Sequence, residues 1–463
     1  MIKRRLTALG ANIFAGGFTL GVRKHFDVLG HLEHDDYGAE TARLNLGVEV
    51  VTQQPAWHAH RFRGKVDFVY SNPPCAVWSV LGVNHGERDW RDDPRLERIK
   101  DIFALIEAAR PRAWCWESVC QAFVRGREFV DTLVTQAAAM GYSSTFVFVD
   151  ARWHGIPQSR KRFFLVCHDV EIEWRAPRYV EARSAAEVIA SITPKTVQDT
   201  TRWNKEANLV LRRAKQGESL RKAYDRLHGD DYEKTARGRA HGRMSFHFKR
   251  MREDGPIGTV TGPHIVHYKE PRLLSVEELA ALCGFPRSFK LPPKMRHDPA
   301  SRLLARGVMP PVGEWLAANV AAAIRRNRKV KAPATWYADF RTPPGRVEPA
   351  ATYERAAAPR ERVQRVPGAP KAPRQRQAPV DYDRMVLPKP ERDAPRATSG
   401  AFIRHHLVRG RYSYEEIAAL VRRTFEGRTT TVADVYYQRN KLRQEGVVAP
   451  ERVRRPIRYQ ETA

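Results

Sequence analysis

Short apolar stretches alternate with helix-spaced apolar positions through the first 180 residues of the chain. Asn12–Ala15, Val28–Glu33, Val66–Tyr70, Ala113–Glu117, Ser144–Val149 and Arg162–His168 are runs of strand length, whereas Asp101–Ala109 and Phe129–Met140 place apolar residues every third or fourth position. Strand, helix, strand at this cadence predicts an α/β domain on a mostly parallel, doubly wound sheet. A sheet of that kind offers its ligand site at the carboxyl ends of its strands.

From about Tyr179 to Glu270 the periodicity fades into a polar region, in which residues 181–270 carry 18 Lys and Arg against 12 Asp and Glu. Helical spacing returns at Ser275–Cys283 and from about Val312 to Arg325. Residues 331–398 are rich in Pro, Arg and Ala with few large aliphatics, which predicts a mostly disordered linker. A compact helical module follows. Ser413-Tyr414-Glu415-Glu416 is a capping box opening a helix with Ile417, Leu420 and Val421 on one face. After Gly427, Thr430 or Thr431 caps a second helix with Val432, Val435, Tyr436 and Leu442 inward and Gln438, Arg439, Lys441 and Arg443 outward. A helix, a glycine turn and a basic helix resemble a helix-turn-helix, with Arg439, Lys441 and Arg443 as its DNA contacts; the other reading is a small module that only covers the chain end.

Charge adds a partner to this picture. The 463 residues hold 80 Lys and Arg against 52 Asp and Glu, a formal net charge of +28, which excludes an acidic solvating protein and points to a polyanion. Residues 331–463 supply +12 of it. A hydrophobic content of 42% and an aromatic content of 10% exceed those of a chain disordered throughout. The 5 cysteines form no C-x-x-C pair and no Cys/His cluster at zinc spacing, so neither a disulfide framework nor a metal site is expected, and a reducing cytoplasm fits. Leu6–Val22, behind Lys3-Arg4-Arg5, has the outline of a secretion signal, but it holds four glycines, lacks an A-x-A site and runs into Arg23-Lys24-His25. No other apolar run reaches membrane-spanning length, so no membrane partner is expected.

Three segments carry candidate chemistry. Asp67-Phe68-Val69-Tyr70-Ser71-Asn72-Pro73-Pro74-Cys75 is an apolar strand ending in a rigid turn that presents a thiol, which is either a nucleophile or a buried small side chain. Trp114-Cys115-Trp116-Glu117-Ser118-Val119 ends an apolar strand on a carboxylate, functional or merely solvated. Gly155-Ile156-Pro157-Gln158-Ser159-Arg160-Lys161-Arg162 throws a glutamine and two arginines forward before the next strand; alone it reads equally as solvated surface.

Their order resolves the ambiguity. A glycine turn (Phe14-Ala15-Gly16-Gly17-Phe18), then P-P-C, then E-S-V, then Q-S-R-K-R resembles the C5-cytosine DNA methyltransferase family, whose motifs run F-x-G-x-G-G, P-P-C, E-N-V and Q-x-R-x-R. Arg272-Leu273-Leu274-Ser275 to Glu278, with Cys283-Gly284-Phe285-Pro286, is similar to the family's R-x-L-T-x-x-E and Q-G-F-P. Gly307-Val308-Met309-Pro310-Pro311-Val312 is similar to its G-N-x-V. The resemblance covers about residues 9–326.

The resemblance implies a Rossmann-like fold dependent on S-adenosylmethionine, with a target-recognition domain inserted and a small helical module appended. The boundaries then read 1–180 and 271–330 for the catalytic domain, 181–270 for recognition, 331–398 for the linker, 399–450 for the module and 451–463 for a basic tail. It implies Cys75 as the nucleophile that adds to cytosine C6 and Glu117 as the acid on N3 and the exocyclic amine. Arg160 and Arg162 would hold the base, and the loop Ser79–Arg95 would close over it. Phe14, Ala15, Gly16, Gly17, Glu33 and Pro73 would bind the cofactor. Gln158 and Arg272 are expected to touch double-stranded DNA, together with the basic and aromatic residues Arg239, Arg243, Phe246, His247, Phe248, Lys249 and Arg250. The resemblance further implies a monomer, bacterial or phage-encoded. An RNA (tRNA) cytosine methyltransferase and a non-catalytic DNA-binding protein of the same fold are the alternatives. The sequence departs from the family in a shortened cofactor turn, in Ser118 and Val308, and in the lack of an adenine-binding Asp, for which Thr52 or Gln53 would substitute.

Overall fold

The computed structural model describes residues 4–33, 35–52, 61–75, 77–78, 91, 93–200, 203, 205–228, 248–350, 399–409, 412–425, 435, 438, 439 and 442. It falls into two units, Met1–Glu361 and Arg362–Ala463.

The first unit is organised by strands β1 (Thr7–Ala11), β2 (Asp27–Leu32), β3 (Glu49–Val51), β4 (Phe68–Ser71), β5 (Ala113–Ser118), β6 (Ser143–Asp150) and β7 (Lys161–His168). Later come β8 (Lys249–Arg250), β9 (Ile265–Val266), β10 (Thr335–Phe340) and β11 (Arg346–Pro349). Nine of these form one sheet in the order β11-β10-β6-β7-β5-β4-β1-β2-β3, and β8 and β9 form a separate pair. The large sheet is parallel except that β7 runs against β5 and β6, and β11 against β10. Alternation along β4 shows how it is covered on both faces: Phe68 and Tyr70 enter one core with Phe18, Leu304 and Leu316, while Val69 enters the other with Ile102, Leu105 and Trp114. The expected α/β, Rossmann-like architecture is present.

Two sequence expectations are corrected. The first strand is Thr7–Ala11, not Asn12–Ala15. Asn12, Phe14 and Gly16 have φ of 55°, 54° and 80°, so these residues turn the chain away at the carboxyl end of β1 instead of extending it. The linker expected from residue 331 does not begin there, because β10 pairs with β6 along Thr335–Phe340 and β11 pairs with β10. Tyr337 and Phe340 are 1% and 2% exposed, and burying such rings outweighs the prolines around them.

The chain closes where the helix Gly17–Val22 meets the helix Pro310–Arg326. A Cβ on Gly17 would stand 2.4 Å from the Val308 carbonyl oxygen, and one on Gly21 would stand 2.3 Å from the Glu314 nitrogen, so the backbones touch because both residues are glycine. The polar region also folds. Helices Lys205–Arg213 and Leu220–His228 bury Val210, Leu211, Leu220 and Tyr224 against Trp203, Phe248, Val266 and Leu273, a small core of its own.

In the second unit Ser413 caps the helix Tyr414–Thr424 through the expected box with Glu416, preceded by the helix Ser399–Arg409. Phe402, Ile403, Leu407, Ile417, Leu420, Val421, Val435 and Leu442 make its core.

Candidate active site

The turn after β4 is fixed at several points. Ser71 Oγ donates to the Cys115 carbonyl at 2.9 Å, and the Asn72 N–H donates to the Ala11 carbonyl at 3.2 Å. Pro73 and Pro74 have no N–H and end the ladder. Cys75 follows, and its carbonyl accepts from the Trp78 N–H at 3.2 Å. Burial pushes the Cys75 thiol above its usual pKa; Glu117 adds to the rise, and Arg162 and then Arg160 oppose it. These four side chains therefore share one electrostatic site at the carboxyl ends of β4 and β5.

Glu117, near the end of β5, is 1% exposed. The Arg162 guanidinium, on neighbouring β7, places Nε 2.9 Å from Glu117 Oε1, and the Asn72 side-chain amide donates to Oε2. Burial raises the Glu117 pKa above the ordinary carboxyl value, while Arg162, Arg160 and Asn72 hold it down. The result is a carboxyl that keeps a proton more readily than an exposed one yet has cations beside it to stabilise its charged form. That combination suits a proton donor to a base that gains negative charge.

Arg160 stands differently from its expected role. Its side chain donates to the Val260 carbonyl at 3.2 Å and the Gly307 carbonyl at 3.1 Å, and its own N–H donates to Asp150 Oδ1 at 3.0 Å. Burial brings its pKa down to about 9. The guanidinium thus ties its own turn to the segments of Val260 and Gly307, while Arg162 is the arginine paired with Glu117.

Two expected DNA contacts are likewise spent inside the fold. Gln158 is fully buried, accepting from the Val260 N–H at 2.9 Å and donating to the Leu282 carbonyl at 3.3 Å. Arg272 pairs with Glu278 at 2.7 Å and Glu270 at 2.7 Å, which bolsters the Ser275 capping box and raises its pKa. Arg250 donates to the carbonyls of His267, Glu270 and Leu211. A polar side chain flanked by buried carbonyls or a carboxylate gains more by satisfying them than by facing solvent. Arg439 sits over the Tyr414 ring, with its Cζ 5.9 Å from the centroid. Lys441, Arg443, Arg239, Arg243, Phe246, His247, Gln53 and most of the loop Ser79–Arg95 lie outside the described residues.

Exposed polar groups do gather beside the site. Ile257 N–H donates to the Pro157 carbonyl and Thr259 Oγ1 to the Ser159 carbonyl, at 2.9 and 2.8 Å, which fastens this strip to the Q-S-R-K-R turn. Next to it a cavity of about 300 Å³ is lined by Lys249, Arg252, Thr259 and Thr261 among others.

At the end of β1, Gly16 precedes the helix Gly17–Val22 with no side-chain cap, leaving first-turn N–H groups open. Glu33, at the end of β2, is 2% exposed, and its carboxylate accepts from the Phe14 N–H at 2.8 Å and the Asp35 N–H at 3.0 Å. Beneath the turn, Thr19 Oγ1 lies 2.5 Å from His31 Nε2 and 2.7 Å from the Tyr70 hydroxyl, a sealed network in which burial drops the His31 pKa to about 3. Bare amides beside a fixed carboxylate fit an adenosyl group with a charged amino-acid tail.

Asn72 and Asp150 were not singled out from sequence. Asn72 has one signal there: an amide residue between an apolar strand and a Pro-Pro turn has no packing reason to be present. Among the described residues, no helix is long and apolar enough to cross a membrane, and no three His, Cys, Asp or Glu side chains are grouped to hold a metal.

The chain is similar to known proteins. The profile of the family "C-5 cytosine-specific DNA methylase" matches residues 12–322. The type II methyltransferase M1.HphI of Haemophilus parahaemolyticus is 27% identical over 290 residues, covering 59% of this chain and 76% of that one. M.NlaX of Neisseria lactamica is 27% identical over 324 residues, covering 68% and 96%. In fold, the crystal structure of a DNA modification methyltransferase encoded within an E. coli prophage superposes with a TM-score of 0.51 at 18% identity, over 69% of this chain and 99% of that one. With the glycine turn, P-P-C, E-S-V and Q-S-R-K-R segments all inside the matched span, the chain belongs to the C-5 cytosine-specific DNA methylase family.

Proposed function

We propose that the protein methylates C5 of a cytosine turned out of double-stranded DNA, through a covalent bond between Cys75 and C6. The supporting observation is the shared site of Cys75, Glu117 and Arg162. Cytosine C5 is a poor nucleophile. The Cys75 thiol gives up its proton to water, and addition of the resulting thiolate to C6, as Glu117 gives its own proton to N3, makes C5 enamine-like. Arg162 steadies both Glu117 and the charge on the ring. After C5 carries its methyl group, transfer of the C5 proton to a water molecule restores the ring double bond and expels the Cys75 sulfur as a thiolate with its electron pair. The N3 proton returns to Glu117.

S-adenosylmethionine, when bound, supplies the electrophilic methyl. Phe14, Ala15, Gly16, Gly17, Glu33 and Pro73 would hold it. Because C6 is out of reach inside a duplex, the base must be extruded. Residues 181–270 serve as the recognition domain, with Lys249, Arg252, Thr259 and Thr261 as candidate groove contacts. The second unit serves as a DNA tether.

The test is a trap with duplex DNA containing 5-fluorocytosine, whose fluorine blocks release. In the presence of S-adenosylmethionine the wild-type chain is expected to form a covalent adduct and Cys75→Ser none. A wild type that forms no adduct on any duplex, or forms one with tRNA alone, overturns this reading.

A further inference from the structure

Asn72 lies between β4 and Pro73, 1% exposed, with its backbone fixed to the end of β1. Its side-chain amide and Arg162 take one oxygen each of the Glu117 carboxyl group. The carboxyl is thus hydrogen-bonded at Oε2 and ion-paired at Oε1, which favours one orientation about its last bond. The remaining atom of the amide, Oδ1, is buried without a hydrogen-bond partner among the described residues. A buried acceptor left unmade is costly, and at the lip of a reactive site it marks a group whose partner comes and goes.

We propose that Asn72 is a positioning residue that serves both protonation states of Glu117: its amide nitrogen donates to the carboxylate, and after a half-turn of the terminal amide its carbonyl oxygen accepts from the carboxylic acid. This rests on the reading of Glu117 as the donor to cytosine N3. When the proton passes from Glu117 to N3, the carboxylate that remains is met by the amide N–H; when it returns, the amide turns back. Asn72 neither gains nor loses a proton, and no covalent bond to it changes.

The groups around Glu117 make this exchange specific. Cys75 after β4, Cys115 within β5, Cys120 on the next helix, and Arg160 and Arg162 on the facing turn and strand all act on it or are acted on by it. The arginines favour the carboxylate only. The thiols are weak donors and acceptors, whereas the Asn72 amide, hydrogen-bonded to Glu117, offers both a strong donor and a strong acceptor.

The full-length chain with Asn72→Ala, Asn72→Ser and Asn72→Val is compared with wild type for methyl transfer and for tritium release from C5-labelled cytosine in duplex DNA, across pH. Asn72→Ala is expected to lower kcat by about tenfold to a hundredfold, the factor carried by one hydrogen bond to a charged group, with KM for DNA unchanged. The Glu117 limb of the pH profile moves to higher pH, because the hydrogen bond lost from the carboxylate is charge-assisted and stronger than the one lost from the neutral acid. Asn72→Ser, whose hydroxyl both donates and accepts, retains more activity than Asn72→Val, which also covers the case of an alanine variant that does not fold. In a Glu117→Gln background Asn72→Ala adds no further loss. An unmoved pH profile, Ser and Val variants of equal activity, or a full additional loss in the Glu117→Gln background overturns the proposal. A wild type that neither transfers methyl nor releases tritium instead overturns the function on which it rests.

Discussion

Glu117 Oε1 lies 2.9 Å from Arg162 Nε, with the two side chains 1% and 13% exposed. The pair spans β5 and β7, the one place where the parallel sheet admits an antiparallel neighbour on that side. Reversal of β7 brings the start of that strand, rather than its end, to the carboxyl end of β5. An arginine just inside the strand then meets a glutamate near the end of its neighbour.

Arg162→Met should destabilise the protein in a pH-dependent way. A carboxyl with a raised folded pKa holds its proton more tightly when folded, so its stabilisation is complete below the ordinary carboxyl value of about 4.3 and is lost as pH climbs through the folded value. Arg162 opposes that rise, and its removal extends the loss to higher pH. Calorimetry should show a deficit, relative to wild type, that grows from acid to neutral pH and approaches about 3–5 kcal/mol, the cost of stranding one buried ion. A deficit independent of pH would sink the idea.

Cys75 should be slow to alkylate at neutral pH. Only the thiolate reacts, and burial holds the thiol above its usual range. Iodoacetamide labelling followed by peptide mapping should give an inflection above the ordinary value of about 8.5. Arg162→Met should move it higher still. Complete labelling of wild-type Cys75 near neutrality would contradict this account.

Gly21→Ala should cost about 1–3 kcal/mol through overpacking, because the new methyl would meet backbone atoms that cannot swing aside. Gly258, by contrast, has nothing within 4 Å of its would-be Cβ and lines the cavity beside the Q-S-R-K-R turn. Gly258→Ala should leave the melting temperature alone while lowering affinity for cognate duplex. If both variants melt alike, the backbone contact at Gly21 is not what limits that crossing.

Removing residues after Glu361 should weaken DNA binding and flatten its dependence on salt, as fewer phosphates are neutralised. Removing residues from 331 onward should also lower thermal stability, since it strips β10 and β11 from the sheet. Salt titrations of duplex binding for the two truncations, beside their melting curves, separate tethering from folding. An unchanged salt slope for the shorter deletion would show that the second unit is no DNA tether.

The sheet was legible in sequence because strands buried on both faces are nearly continuous apolar runs, as in Phe68–Ser71 and Ala113–Ser118. Phe14-Ala15 reads as apolar too, but its apolarity serves a kinked turn, and φ is not written in hydrophobicity. That Cys75, Glu117 and Arg162 come together at one place was legible from motif order. Gln158, Arg160 and Arg272 were assigned to DNA or base from the family resemblance of their motifs, and the fold gives their hydrogen bonds to Val260, Gly307, Leu282 and Glu278. Which buried carbonyls need a donor depends on segments a hundred or more residues away, and local sequence does not carry that.

The glycine crossing near Gly17 and Gly21 also sets a timetable. Lys24 and Glu314, which bridge the same two helices, are 290 residues apart. During synthesis the first helix emerges long before its partner, so the face it turns to residues 310–326 waits until those residues leave the ribosome, although Phe18 can already meet Tyr70 and Phe164. Closure of this domain is a late event, and a chain stalled or cut before residue 308 would present its glycine turn without the backbone that packs on Gly17 and Gly21.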